Sequence, residues 1–201
     1  MQHAFDENFA SNRYYDRSFQ AEAAKILPGE YFVSDQGMLL VTVLGSCVAA
    51  CIRDVETGIG GMNHFMLPDD GGRDTVGSSA RYGTYAMEVL INHLFKMGAK
   101  RNRLEAKVFG GGAVLASLAS SNVGARNAEF VLDYLKTEKI PVVAKDLLDS
   151  YPRKVYYFSE TGRVLVKKLH RVHNETLFSR ERDYKDRLAG AKVGGDVELF
   201  I

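Results

Sequence analysis

The sequence predicts a single domain of the α/β (mixed α+β) class, with mixed β-sheets or a β-sandwich-like core flanked by two to three helices. Three observations lead there. From Tyr31 to about Met66 the chain runs as short apolar stretches rich in Val, Leu, Ile and Thr, cut by Gly, Asp and Pro, as strands do. From Arg81 to Met97 the apolar residues change to three- and four-residue steps, the mark of one helix face. With 201 residues, 46% hydrophobic and 25% charged, the chain has the size and composition to bury a core without a disulfide or metal staple.

The elements follow in order. Residues 1–24, including Tyr14-Tyr15, mix charges, Asn, Ser and scattered aromatics without a sustained period, and are expected to be an appended, flexible arm. The domain then spans 25–170. YFVSDQG, MLLVTVLGS, CVAACIRD and MNHFMLPDDGG supply strands, with Asp35-Gln36-Gly37 and Glu56-Thr57-Gly58 as hairpin turns. The first helix lines up Tyr82, Ala86, Val89, Leu90, His93, Leu94 and Met97, and Gly98 is placed to stop it at a left-handed cap. Leu104 to Phe109 reads as a strand running into Gly110-Gly111-Gly112. A second helix begins near Asn122, continues through Phe130, Val131, Tyr134 and Leu135, and ends before Pro141. PVVAKDLL and the hairpin KVYYFSETGRVLVKKL, turning at Glu160-Thr161-Gly162, complete the strands. Residues 171–201 alternate both signs of charge and read as a solvated tail.

Charge and hydropathy narrow the partners. With 26 Lys+Arg against 25 Asp+Glu, net charge +1, the chain has no general nucleic-acid footprint. No stretch approaches the roughly 20 apolar residues of a membrane span, so no membrane insertion is expected, and Met1 to Gln20 does not resemble a secretory signal. The expected compartment is the cytoplasm. Cys47 and Cys51 would close a loop too small to stabilise much, and a reducing compartment keeps both as thiols.

The residues most able to carry chemistry are Cys47, after the Leu44-Gly45-Ser46 break, and His64, in Gly61-Met62-Asn63-His64-Phe65. A thiol at a strand break can sit beside exposed backbone N–H groups, and a histidine on a neighbouring hairpin strand could activate it. Taken singly, each has a plainer reading: a cysteine in an apolar run as a buried small hydrophobe, a histidine there as a core-edge residue. Cys47, Cys51 and His64 lack the paired spacing of a zinc site. Gly110-Gly111-Gly112-Ala113 lacks the Gly-Lys-Ser/Thr of a phosphate loop and reads as a close backbone approach. His93 packs on its helix, and His3, His170 and His173 fall in the terminal regions.

Four motifs in order, Leu44-Gly45-Ser46-Cys47-Val48-Ala49, Gly61-Met62-Asn63-His64-Phe65-Met66-Leu67-Pro68, Phe109-Gly110-Gly111-Gly112 and Asn122-Val123-Gly124-Ala125-Arg126-Asn127, resemble the CheD family of chemoreceptor glutamine deamidases. The resemblance runs from about Gly29 to Leu169. It implies a cysteine hydrolase that converts selected glutamines of methyl-accepting chemotaxis receptors to glutamate and releases ammonia, with no cofactor and no metal. Carried over residue by residue, Cys47 is the nucleophile, His64 the general base and Thr42 the threonine that orients the histidine. The backbone N–H of Cys47 is the candidate oxyanion donor. The implied partners are the receptors' cytoplasmic helices and a CheC-type phosphatase. Two other functions fit the same surface: a non-catalytic receptor- or phosphatase-binding adaptor, and a receptor glutamyl methylesterase.

Overall fold

Alternation along one strand sets the layers of the molecule, a computed structural model that describes residues 8–68, 78–114, 122–169 and 175–190. Strand β5 (Val48–Asp54) is buried on both faces. Val48, Ala50 and Ile52 turn toward two helices, whereas Ala49 and Cys51 turn toward a second sheet. A strand covered on both sides has no polar face to show, which is why its text is a nearly unbroken apolar run.

β5 belongs to a mixed sheet of order β3 (Tyr31–Ser34), β6 (Gly60–Asn63), β5, β7 (Leu104–Gly110), β8 (Val142–Leu147). Only the β7–β8 pair is parallel. The other sheet has the order β1 (Arg13–Asp16), β2 (Ala21–Lys25), β4 (Leu39–Leu44), β9 (Arg153–Phe158), β10 (Val164–Lys168), with β2 and β4 parallel. Between the sheets lies a core that includes Phe32, Leu40, Leu44, Cys47, Cys51, Met62, Phe109, Val155 and Tyr157. Helices α1 (Ser78–Lys96) and α2 (Val123–Thr137) cover the far side of the first sheet through Met87, Leu90, Leu94, Val131 and Leu135. The fold is the expected mixed α/β domain: two five-stranded sheets, with three helices among the described residues.

Gly98 stops α1 as expected, at φ +106°, with its N–H donating to the Phe95 carbonyl at 2.9 Å and that of Ala99 to Leu94 at 3.0 Å. Glu56-Thr57-Gly58 closes the β5–β6 hairpin, and Glu160-Thr161-Gly162 the β9–β10 hairpin. Asp35-Gln36-Gly37 is different. It joins β3 to β4, strands of opposite sheets, so it is a crossing between layers and not a hairpin turn. A turn's residues specify the bend, whereas the pairing partner is chosen by which faces must be buried.

The terminal regions also depart from expectation. The stretch expected to be a flexible arm supplies β1 and β2, and Phe9 stacks on Phe32 with ring centroids 4.5 Å apart. Strands of four and five residues are too short to show a period. Within the stretch expected to be a solvated tail, Glu175–Gly190 forms helix α3, and there Glu181 and Tyr184 are buried. His3, His170 and His173 lie outside the described residues.

Candidate active site

Three strands and one glycine-rich bend bring the site together. On β4, Leu40 and Leu44 face the inter-sheet core while Leu39 and Val41 pack in the outer cluster. Thr42 shares the parity of Leu40 and Leu44 and is directed between the sheets, 1% exposed. Val48 and Phe65 form an antiparallel bridge, their backbones exchanging hydrogen bonds of 2.9 and 3.0 Å. In that register Cys47 lies opposite Met66, and His64 is its diagonal neighbour on the same face. Such neighbours lie about 7–8 Å apart, within reach of a ring. The thiol and the imidazole, 17 positions apart in sequence, thus share the inter-sheet layer.

The hydrogen bonds fix the imidazole's tautomer. Thr42 Oγ1 lies 2.7 Å from the Ile26 carbonyl oxygen and 2.8 Å from His64 Nδ1. A carbonyl can only accept, so the one hydroxyl proton goes to Ile26, and Oγ1 must accept from Nδ1–H. Nε2 is therefore the unprotonated nitrogen, and it has no hydrogen-bond partner. Burial holds the imidazole neutral, pushing its pKa down to about 4 against the opposing pull of the Ile26 carbonyl.

The segment around Cys47 is clamped by backbone and amide contacts. The N–H groups of Gly111 and Gly112 donate to the carbonyls of Cys47 and Gly45, both at 2.8 Å. Gly110 has φ +111°, and a Cβ there would come 2.2 Å from the Cys47 oxygen, so only glycine allows this approach. The expected close backbone approach at Gly110-Gly111-Gly112 thus shapes the cysteine's strand end. Asn127, on α2, donates to the Ser46 carbonyl at 2.9 Å and accepts from the Leu67 N–H at 2.8 Å, tying the cysteine segment to the histidine segment. Arg153, fully buried, donates to the Gly110 carbonyl at 3.1 Å and pairs with Asp146 at 3.0 Å.

The amides beside Cys47 are occupied. The Glu181 carboxylate accepts from the N–H of Gly45 at 2.8 Å, of Ser46 at 3.1 Å and, more weakly, of Cys47 at 3.4 Å, and from Ser46 Oγ at 2.8 Å. Burial first, then the charge and hydrogen bond of Glu181, push the Cys47 thiol well above its ordinary pKa. Burial thus disfavours the charged form of both groups in this arrangement. Cys51, four residues on and equally buried, faces the same core without such neighbours.

The sequence points to Thr42, Cys47 and His64, and the structure brings them into one layer. It does not point to Ser46 Oγ, the role of Asn127, or Glu181. The available signal for Glu181 is its position in line with Leu177, Tyr184 and Leu188 at helical spacing within a charged tract.

A thiol, an imidazole with a bare Nε2 and a row of backbone amides are the parts of a cysteine-dependent hydrolase. Comparisons with known proteins supply the family. The family model described as CheD chemotactic sensory transduction matches residues 66–168. A protein of Dechloromonas aromatica (strain RCB), named probable chemoreceptor glutamine deamidase CheD 1, is 83% identical over 201 residues, all of both chains. The Janthinobacterium sp. (strain Marseille) protein named probable chemoreceptor glutamine deamidase CheD is 63% identical over 196 residues, 96% of this chain and 97% of its own. Among solved structures, Bacillus licheniformis hypothetical protein YfiH is similar at 13% identity and a TM-score of 0.37, covering 60% of this chain and 49% of its own, a likeness that bears no weight. This chain belongs to the CheD family.

Proposed function

We propose that this protein deamidates glutamine side chains of methyl-accepting chemoreceptors to glutamate, through a thioester on Cys47. The observation that carries the reading is the Thr42–His64 hydrogen bond: with the threonine proton committed to Ile26, Nε2 is the base. His64 takes the Cys47 proton as the thiol attacks the amide carbon, and passes it to the departing nitrogen, which leaves as ammonia. Water then hydrolyses the thioester, activated by the same Nε2. A cavity of about 100 Å³ bordered by His64, Asn63 and Tyr82 is a place from which it can come. The Cys47 and neighbouring amides stabilise the oxyanion, and losing one such donor typically costs about 10²-fold or more.

Among the described residues no helix is long and apolar enough to cross a membrane. The reading sets the protein in the cytoplasm, where it meets receptor helices, with a CheC-type phosphatase as a further partner. The test is the mass spectrum of a receptor fragment treated with wild type or Cys47→Ala. The expected result is the NH2-to-OH mass increment at particular glutamines with wild type alone. Loss of a methylene mass from receptor methyl esters would show a methylesterase instead, and an unchanged fragment would leave a binding protein.

A further inference from the structure

Glu181 is the most unusual charged residue among those described. It is 1% exposed, yet its neighbours on α3, Ser179, Arg180, Arg182 and Asp183, are exposed. No cation pairs with it among the described residues; both carboxylate oxygens are satisfied by the amides of Gly45, Ser46 and Cys47 and by the Ser46 hydroxyl. A buried charge is tolerated where several donors converge on it. Gly45 is required for this approach, since a Cβ there would stand 2.7 Å from Glu181 Oε1.

These donors are the ones an acyl oxygen would meet during attack by Cys47. A glutamate side chain on a helix is also the product of deamidating a glutamine on a helix. Tyr184, one turn on and on the same face, packs over Gly29 and hydrogen-bonds Tyr82, and Leu188 follows against the inter-sheet core. We infer that α3 occupies the substrate cleft as a tethered product mimic, with Glu181 at the position of the converted side chain, so that a substrate helix must displace it. The inference rests on the deamidase reading and extends it: the cleft takes a glutamine borne on a helix, with an aromatic or bulky apolar residue three positions toward the C-terminus. The Glu181 charge also disfavours the Cys47 thiolate, so displacement relieves one cause of its raised pKa.

The placement has a direct chemical test. In the E181Q variant the amide carbon stands where substrate would. Cys47 Sγ bonds to Cδ and the Cδ–N bond breaks, the nitrogen leaving as ammonia with the thiol proton carried by His64. Water then adds to Cδ, the S–C bond breaks, and a proton returns to the thiol. The net change is amide plus water to acid plus ammonia. Peptide mass spectrometry of the full-length variant is expected to show a carboxylate restored at position 181, formed at a rate independent of protein concentration and absent from E181Q combined with C47A. A side-chain amide left intact at position 181, while the same preparation converts receptor glutamines, would overturn the inference and leave the activity standing. If wild type converts no receptor glutamine either, the deamidase reading fails and this inference with it. In the E181A variant a tethered competitor at millimolar effective concentration is gone, and kcat/KM toward a receptor fragment is expected to rise about tenfold. An unchanged or lower value would overturn displacement.

Discussion

The two sides of the cysteine are built differently. On one side His64 is held by Thr42, and Thr42 by the Ile26 carbonyl, all within the layer between two sheets. On the other side the amides of Gly45, Ser46 and Cys47 are met by a side chain from α3, a helix with most of its described side chains facing solvent. Rotating the imidazole would break its buried hydrogen bond to Thr42. Withdrawing α3 exchanges amide–carboxylate contacts for contacts with water or substrate. The contrast teaches that the imidazole's orientation is part of the core, whereas the amides beside Cys47 are covered by a peripheral helix, the one proposed to control access to the thiol.

The largest effect on the fixed side is expected from removing His64, the base of the proposed mechanism. His64→Asn keeps a polar side chain without a titrating nitrogen and is expected to slow ammonia release by about 10²- to 10⁴-fold. A rate within a few-fold of wild type would separate His64 from the chemistry.

Acid should reveal the same fixed side as stability. His64 is neutral in the fold, its pKa lowered from 6.5 to about 4 by burial. Between those values the unfolded chain binds a proton that the folded chain refuses, so stability falls as pH drops through this window and is unaffected above it. The loss amounts to roughly 3 kcal/mol. Urea melts at several pH values are expected to show it in wild type and not in His64→Asn; identical slopes for the two proteins would refute the assignment.

Thr42→Val tests the hinge between core and site. It leaves the Ile26 carbonyl and Nδ1–H without their partner, a cost of about 1–3 kcal/mol by denaturant unfolding. Deamidation should slow and its pH profile shift, because Oγ1 no longer holds the proton on Nδ1 and so no longer dictates which ring nitrogen is bare. A lower melting temperature with an unchanged pH profile would make Thr42 purely structural.

The smallest effect is expected at Cys51. Cys51→Ala removes one buried sulfur, costing about 1 kcal/mol of stability by analogy with other small core deletions, and leaves ammonia release within about twofold. A large loss of activity there would mean that the two thiols are not separable.

Much of this organisation is local and legible in the chain. The period of α1 and its glycine stop, the unbroken apolar run of β5, and the Gly162 turn each need only neighbouring residues. The motifs carrying Cys47 and His64 are legible for the same reason. Asp35-Gln36-Gly37 misleads because a turn does not say which strand its neighbours will pair with. The stretches before Lys25 and after His170 mislead because short strands and a charged helix resemble solvated chain until something packs on them.

What the sequence determined by itself is the set of elements and the residues able to carry chemistry, since period, turn residues and motif spacing are properties of the local chain. Tertiary structure decided which face each reactive side chain occupies and what each touches. Thr42 reaches His64 because β4 and β6 lie in facing sheets, and the tautomer follows from Ile26, a residue 16 positions away from Thr42. Glu181 meets the Cys47 amide from 134 positions away because burial of a carboxylate depends on donors that only the folded chain assembles.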